Sequence, residues 1–240
     1  MKNIAHGILI LFSLHAAQAQ IPDGGTPLTT GNFLRDVRRP TSSASARSEI
    51  VDVDHALFTQ ALRVETLHEA GDPWSVEIGN PTTAPVKKGD VALIHFWARG
   101  TESSDESGEV FATVYAQQAA PDWDKSIYRG ISVGAEWREY FFPFEFIDGY
   151  VAGGATINFG VGSRRQTIEI ALFEVLHYGT NVEVDDLPQI KLTYAGREPD
   201  APWRAAARDR IRQHRQGDFT LELVDPAGQP IVAAQVEVEM

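Results

Sequence analysis

Residues 88–99 read KGDVALIHFWAR, and their pattern decides the fold class. Successive side chains of an extended strand point to opposite faces, so an alternating run separates into two faces. One face carries only apolar side chains and is predicted to be core: Ala92, Ile94, Phe96 and Ala98. The other face begins apolar and ends with His95, Trp97 and Arg99. This stretch therefore predicts a strand with a buried face and a mixed face.

Similar runs follow one another between residues 49 and 179. They are rich in Val, Ile, Phe, Trp and Tyr, and turn residues such as Asn80-Pro81 separate them. The further runs cover residues 61–66, 110–117, 137–146, 156–161 and 166–176. Many short strands at this spacing favour an antiparallel sandwich over a helical or α/β fold. We therefore predict an all-β protein whose residues 49–179 form a jelly-roll β-sandwich of the galactose-binding-like type.

The segments before and after this region differ from it in composition. Residues 1–19 have a basic start, a short apolar run and a small-x-small pattern, which together are typical of a cleaved secretory signal peptide. Residues 20–48 are rich in Ser and Pro and are predicted to be a flexible linker, and residues 180–199 a second linker. Residues 200–240 predict a short helix, with Trp203 and Ile211 on one face, and then a β-hairpin around 226–230.

Charge and composition narrow the partners. The formal net charge is −12 and there is no basic stripe, which makes nucleic acid a poor candidate partner. The apolar run near the amino terminus is too short to span a membrane. The chain has no cysteine, so disulfides are excluded and an apolar core must stabilise the fold. We expect a secreted or periplasmic protein.

Five motifs, in this order, resemble carbohydrate-binding modules of families 4 and 9 attached to xylanases and cellulases. They are FTQALRV at 58–64, PW at 73–74, KGDVALIHFWAR at 88–99, SVGAEWREYFFPF at 132–144 and QTIEIALFEVLHYG at 166–179. The resemblance implies a jelly roll that binds β-linked glycans such as xylan, often with a structural calcium ion. It also implies structural roles for Trp74 and Trp137, which match family positions of that kind.

From residue 194 onward the sequence resembles the segment that leads into the barrel of family 10 glycoside hydrolases, the endo-1,4-β-xylanases. A Trp-containing helix ends in a basic run and Gly217-Asp218, and a D-x-x-G-x-P turn follows at Asp225, Gly228 and Pro230. The resemblance implies a downstream catalytic barrel, and we expect a truncated or split gene product. Within the chain, no carboxylate pair or nucleophile motif of a glycosidase is matched.

The expected function is therefore non-catalytic targeting to plant-type polysaccharide, with a hydrolase label by association only. Two alternatives remain open at this point. The chain is the non-catalytic part of a split glycoside hydrolase whose barrel is encoded downstream, or it is a structural sandwich that contacts other proteins.

Sugar binding requires aromatic faces for the C–H groups of a pyranose and hydrogen-bonding groups for its hydroxyls. The mixed strand faces supply both, and we predict one concave face lined by Trp97, Tyr115, Arg99, His95, Gln117 and Asn158. Packing within the protein remains an alternative role for Trp97, Tyr115 and Gln117. Trp123 stands between acidic residues in a loop, and it is either a ligand platform or a lid over the core.

The calcium ion implied by the resemblance needs oxygen ligands. In related modules, acidic residues near the first and last strands help to hold it, so Asp52, Asp54 and Glu169 are candidates. Calcium takes six to eight oxygens, and three separated carboxylates do not by themselves form a site.

Overall fold

The computed structural model describes residues 21–40, 43–190, 201–215, 217 and 220–235. The chain divides into two compact units, Met1–Ile190 and Lys191–Met240. The predicted signal peptide lies outside the described residues, as does the part of the second predicted linker from 191 to 199. Among the described residues, no helix is long and apolar enough to cross a membrane.

The described part of the first unit is a sandwich of two antiparallel sheets. In the first sheet, strands run in the order β2-β3-β10-β5-β8, and β1 pairs with β10. Their bounds are β1 (Thr26–Pro27), β2 (Ala46–His55), β3 (Phe58–Thr66), β5 (Val91–Ser103), β8 (Arg138–Glu145) and β10 (Gln166–Gly179). The second sheet has the order β4-β9-β6-β7. Its strands are β4 (Glu77–Pro81), β6 (Val110–Gln118), β7 (Lys125–Val133) and β9 (Ala155–Gly160).

The core lies between the two sheets, and the alternation in the sequence produces it. The apolar side of β5 is fully buried, as predicted, and the inward side of β6 faces it with Val110, Ala112, Val114 and Ala116. Phe96 occupies the centre. Its ring lies 4.5 Å from that of Phe159 on the opposite sheet and 5.2 Å from that of Tyr140 on the neighbouring strand. The prediction of an all-β jelly-roll sandwich is confirmed.

The strand predictions succeeded where alternation is strong and failed where it is weak. All six predicted runs overlap strands of the structure. The strands β1 and β2 also lie outside these six runs. In the second sheet, the strands β4 and β7 were not predicted. The first is only five residues long and contains Gly79, and the second is an edge strand interrupted by Gly130 with mostly exposed side chains. Short or polar edge strands bury too few apolar residues to show the period of two.

The structure differs from the prediction of a flexible linker at 20–48. Its described residues pack on the sandwich through β1, the short helix α1 (Phe33–Asp36) and the first residues of β2. Leu28, Phe33 and Val37 are buried in the main core, and the Phe33 ring lies 5.0 Å from that of Phe173. A few well-placed apolar side chains are enough to fix a segment whose overall composition is polar.

The carboxyl-terminal boundary of the sandwich also lies later than the predicted residue 179. Leu187 is buried beside Leu93 and Phe141 of the first sheet. The backbone N–H of Ile190 donates to the carbonyl oxygen of Phe141 at 3.2 Å. Residues 180–190 are thus part of the sandwich, because they cover apolar side chains on the outer side of β5 and β8.

The second unit contains the predicted helix, α2 (Pro202–Arg215). After it, the predicted turn is present: the Asp225 carboxylate accepts hydrogen bonds from the backbone N–H groups of Ala227 and Gln229, both at 2.8 Å. Over residues 220–235, the predicted hairpin consists of this turn and a single bridge between Val224 and Pro230. The outer ends of its two predicted strands lie outside the described residues.

The packing of residues 21–40 predicts that Phe33→Ala is strongly destabilising. We expect a loss of about 3–5 kcal/mol in the free energy of unfolding, because a buried aromatic ring leaves a cavity. Urea denaturation of the full chain measures this loss. Val151→Ala, at an exposed position, should change it by less than about 0.5 kcal/mol. If Phe33→Ala left the free energy of unfolding unchanged, residues 21–40 would be a flexible tether and not part of the fold.

Candidate functional site

The structure does not bring the six predicted face residues together. The strand β5 belongs to the first sheet, whereas β6 and β9 belong to the second. Because the core lies between the sheets, their polar sides point in opposite directions. We call the outer side of the first sheet the β5 face and that of the second sheet the β6 face. His95, Trp97 and Arg99 lie on the β5 face, and the β6 face holds Tyr115, Gln117 and Asn158.

On the β5 face, Arg99 takes part in a buried ion-pair network. Both oxygens of the Glu169 carboxylate, which is 0% exposed, are occupied by arginines. The Arg99 Nε atom donates to one oxygen at 2.7 Å, and the Arg63 Nη2 atom donates to the other at 2.6 Å. Two cations on one buried carboxylate compensate for its desolvation. These contacts tie β3, β10 and β5 together side by side.

Trp97 lies in an aromatic cluster on the same face. Its ring is 4.8 Å from that of His55 and 6.1 Å from that of Phe58, and Trp137 packs against the same residues. The guanidinium of Arg99 lies 4.9 Å from the centroid of the Trp137 ring. These contacts have the character of packing, which was one of the two predicted roles of Trp97.

His95 is buried between two carboxylates. Its Nδ1 atom lies 2.9 Å from Glu174 and its Nε2 atom 2.8 Å from Glu139, while its ring stacks on Phe141 with centroids 4.8 Å apart. Burial alone would lower the pKa of the imidazole. The hydrogen bonds and charges of Glu174 and Glu139 outweigh burial, so the pKa of His95 is raised above its ordinary value of 6.5. Through its contacts with Glu174 on β10 and Glu139 on β8, the ring links β5 to both neighbouring strands.

The three candidate calcium ligands do not fit a calcium site. Both oxygens of Glu169 are already bonded to guanidinium groups, which repel a cation. Asp52 and Asp54 are exposed on β2, where Asp52 accepts a hydrogen bond from Gln60 at 3.2 Å. Within the described part of the chain, no group of three or more His, Cys, Asp or Glu side chains is arranged to hold a metal ion. Whether the chain binds a structural calcium ion stays a prediction.

The β6 face carries an open cleft of about 440 Å³. Its lining residues are Arg38, Trp74, Glu77, Gln117, Trp123 and Lys125. Trp74 is 49% exposed and Trp123 is 48% exposed, although both side chains are large and apolar. The cleft therefore combines indole rings, which can stack on a ligand, with charged and amide groups, which can form hydrogen bonds to it.

Local backbone structure places both tryptophans at the cleft. Trp74 lies in a short 3-10 turn, Pro73–Ser75, that rests directly on β9, where a Cβ atom at Gly160 would lie 2.8 Å from the carbonyl carbon of Pro73. Trp123 lies in the loop between β6 and β7 in the left-handed region, with φ of 60°. The left-handed region is unfavourable for a bulky residue and typical of positions under functional or packing constraint.

The floor of the cleft is a hydrogen-bonded polar network. The Arg38 Nη2 atom donates to Glu77 at 2.9 Å and to the Asn158 side chain at 3.4 Å. The Tyr115 hydroxyl donates to the other oxygen of Glu77. Burial is the main cause that raises the pKa of Tyr115, and this hydrogen bond is the second, so the phenol stays protonated. The network fixes the Arg38 and Glu77 side chains below the cleft.

Arg38 reaches this position because its backbone pairs with β4. Its N–H donates to the carbonyl of Gly79 at 3.1 Å, and the N–H of Gly79 donates back at 3.0 Å. A Cβ atom at Gly79 would lie 2.2 Å from the Oδ1 atom of Asn158, so the close approach requires glycine. The segment at 21–40 thus contributes a residue to the cleft.

The sequence prediction found part of this cleft and missed part. Trp123 and Gln117 line it, and Tyr115 and Asn158 lie in its floor. Arg38, Glu77 and Lys125 were not predicted, and Trp74 was expected to be structural. A tryptophan directly after Pro73 in a turn was the available signal, because turns usually lie on the surface.

Comparisons with known proteins support no family assignment. No protein-family model and no curated protein matches the chain. A CBM4 structure is 15% identical, covers 66% of this chain and 99% of its own, and has a TM-score of 0.42. The CBM22-1 xylan-binding domain of Paenibacillus barcinonensis Xyn10C is 10% identical, covering 68% and 98%, with a TM-score of 0.41. The N-terminal cellulose-binding domain of Cellulomonas fimi β-1,4-glucanase C is 12% identical, covering 60% and 96%, with a TM-score of 0.40. A function therefore has to be argued from the geometry of the cleft.

The ion pairs of Glu169 predict the effect of Glu169→Gln. We expect a loss of about 3 kcal/mol in unfolding free energy, at the lower end for a broken buried ion pair because both guanidinium groups are partly exposed. Glu65→Gln, which breaks the exposed pair with Arg47, should cost less than about 1 kcal/mol. Urea denaturation should give the same loss in EDTA and in calcium. A loss seen only in calcium would identify Glu169 as a calcium ligand.

The raised pKa of His95 predicts a pH-dependent contribution to stability. Because the folded protein holds the proton more tightly than the unfolded chain does, the contribution is complete below pH 6.5 and is lost as the pH rises through the folded pKa. Unfolding free energies of the wild type and His95→Gln should therefore differ most at low pH and converge as the pH rises. His68→Gln, at an exposed site, serves as the control. A difference that does not vary with pH would contradict the assignment.

Proposed function

We propose that this chain binds polysaccharide in the cleft on the β6 face. The observation that carries the proposal is the pair of half-exposed indole rings, Trp74 and Trp123, in a single cleft with polar side chains. Large apolar side chains that stay exposed near one another on a folded protein indicate an interaction surface. A flat ring that stacks against the apolar face of a pyranose uses these indoles without burying them in the core.

The polar groups of the cleft suit the hydroxyls of a sugar. Arg38 offers guanidinium donors, Glu77 offers carboxylate acceptors, and the amide of Gln117 offers both. Since Arg38 and Glu77 are already fixed by each other and by Tyr115, little side-chain entropy is lost on binding. The cleft is open to solvent on one side of the sandwich, as binding to an internal stretch of a long chain requires.

Finer features of the function rest on the sequence. The five motifs that resemble carbohydrate-binding modules support xylan or another plant-type β-glycan as the ligand. The resemblance of residues 194–240 to a xylanase lead-in supports an association with a glycoside hydrolase barrel. The pattern of residues 1–19 supports secretion or a periplasmic location. In such a protein the role of the module is targeting, which raises the local concentration of substrate at the enzyme.

The cleft predicts that Trp74→Ala and Trp123→Ala each weaken binding to xylohexaose or cellohexaose by about tenfold or more, as loss of a stacking anchor does. Because both rings are half-exposed, the unfolding free energy should fall by less than the loss of about 3–5 kcal/mol expected for a fully buried aromatic ring, and the fold should be retained. Isothermal titration calorimetry on the full chain measures the affinity. Trp203→Ala is the matched control, since this tryptophan of α2 is 46% exposed and lies in the second unit.

Three outcomes are informative. Weaker binding in both cleft variants, with wild-type affinity in Trp203→Ala, supports the proposal. Wild-type affinity in the cleft variants places the glycan elsewhere on the chain. No binding of either oligosaccharide, nor of soluble xylan, glucan or mannan, would favour the alternative of a sandwich that contacts proteins.

A further inference from the structure

We infer that the cleft on the β6 face prefers glycans bearing carboxylate groups, and that Lys125 is the residue that selects them. The ligand class is a uronic-acid-containing glycan, with the carboxylate either on a side substituent or in the backbone sugar. The inference rests on the proposed function, because it concerns the same cleft, and it goes further by naming a charge on the ligand.

The charges of the cleft do not cancel. Three lining residues are ionised: Arg38, Glu77 and Lys125. Arg38 and Glu77 neutralise each other through their 2.9 Å ion pair. Lys125 makes no ion pair with any residue that the structure describes, so its positive charge is left over. Asp122 and Asp124 flank Trp123 in the sequence but do not line the cleft.

The surplus positive charge stands against the charge of the whole chain. The formal net charge is −12, and a strongly acidic surface repels acidic polysaccharides at long range. To a neutral sugar an unpaired ammonium offers only hydrogen bonds to hydroxyls, whereas to an acidic sugar it also offers an opposite charge. In such an acidic protein, an unpaired ammonium in the lining of the cleft, beside Trp74, is a local exception.

The position of the ammonium fits a role in recognition. The Lys125 Nζ atom lies 5.9 Å from the ring centroid of Trp74 and 5.9 Å from that of Tyr128. It donates to the carbonyl oxygen of Trp123 at 3.3 Å. An ammonium has three donors, so two remain for a ligand. A sugar stacked on Trp74 would therefore hold its substituents within reach of a cation that the protein has already oriented.

A carboxylate uses this cation better than a hydroxyl does. A hydrogen bond from an ammonium to a hydroxyl has one charged partner, whereas one to a carboxylate has two and adds the attraction between opposite charges. Exposure of Lys125 to solvent weakens the gain, as it does for surface ion pairs in general. Both considerations together predict a modest and salt-sensitive preference, of about fivefold to tenfold in affinity.

The test compares three probes with the full chain by isothermal titration calorimetry. The probes are xylohexaose, xylohexaose carrying one glucuronic acid substituent, and hexagalacturonate. We expect at least one acidic probe to bind about fivefold to tenfold more tightly than xylohexaose, and the identity of that probe distinguishes a side substituent from a backbone uronic acid. Raising the ionic strength from about 0.1 M to about 1 M shortens the Debye length from about 10 Å to about 3 Å and should reduce this preference.

Lys125→Met removes the charge and keeps an apolar side chain. It should make the affinity for the acidic probe equal to that for xylohexaose, and this ratio is the readout whatever the change in affinity for xylohexaose itself. Lys88→Met is the matched control, because it removes an equal charge from an exposed position outside the cleft. Equal affinities for neutral and acidic probes would overturn the inference and leave the proposed function standing. A preference that survives in Lys125→Met would overturn the role of this lysine. Failure of all three probes to bind would overturn the inference, and the proposed function would then depend on binding of cellohexaose or of soluble glucan or mannan.

Discussion

The packing of Phe96 between the two sheets is the interaction on which the rest of the structure depends. This fully buried ring contacts Phe159 of the opposite sheet and Tyr140 of the neighbouring strand, and Phe173 lies 6.2 Å away. Successive side chains of a strand point to opposite faces. Once Phe96 points inward, its neighbours at even spacing on β5 also point inward, and those at odd spacing point outward. The same constraint sends His95, Trp97 and Arg99 to one outer side of the sandwich. It also holds Phe173, against which Phe33 packs, and so attaches the amino-terminal segment.

The β5 face and the β6 face differ in how their polar and aromatic side chains interact. On the β5 face, polar and aromatic side chains are bonded to one another: Glu169 holds two arginines, and His95 holds two glutamates. Groups that satisfy each other in this way stabilise the sheet. On the β6 face, the paired groups form a floor, whereas Trp74 and Trp123 remain half-exposed above it. The proposed binding site therefore lies where two indole rings stay half-exposed beside polar side chains.

The sequence predicts strands well and the arrangement of strands poorly. The alternation in 91–99 and 110–117 identified both the strands and their buried faces, because that pattern is local. It could not show that β5 and β6 lie in different sheets, since strand pairing joins residues far apart in the chain. The predicted binding face was divided for this reason. Arg38 was missed because its position depends on pairing with Gly79, and a polar segment with three buried apolar residues looked like a linker.

The claim that the β6 face binds glycan can be tested most directly through the indole N–H signals of the protein. The chain has five tryptophans, and each gives a resolvable signal in a ¹H–¹⁵N correlation spectrum. If the glycan binds on the β6 face, the signals of Trp74 and Trp123 should shift together and saturate during titration with xylohexaose. Those of Trp97 and Trp137 on the β5 face, and of Trp203 in α2, should stay in place. Shifts confined to Trp97 and Trp137 would contradict binding on the β6 face, because they would place the ligand on the opposite side of the sandwich.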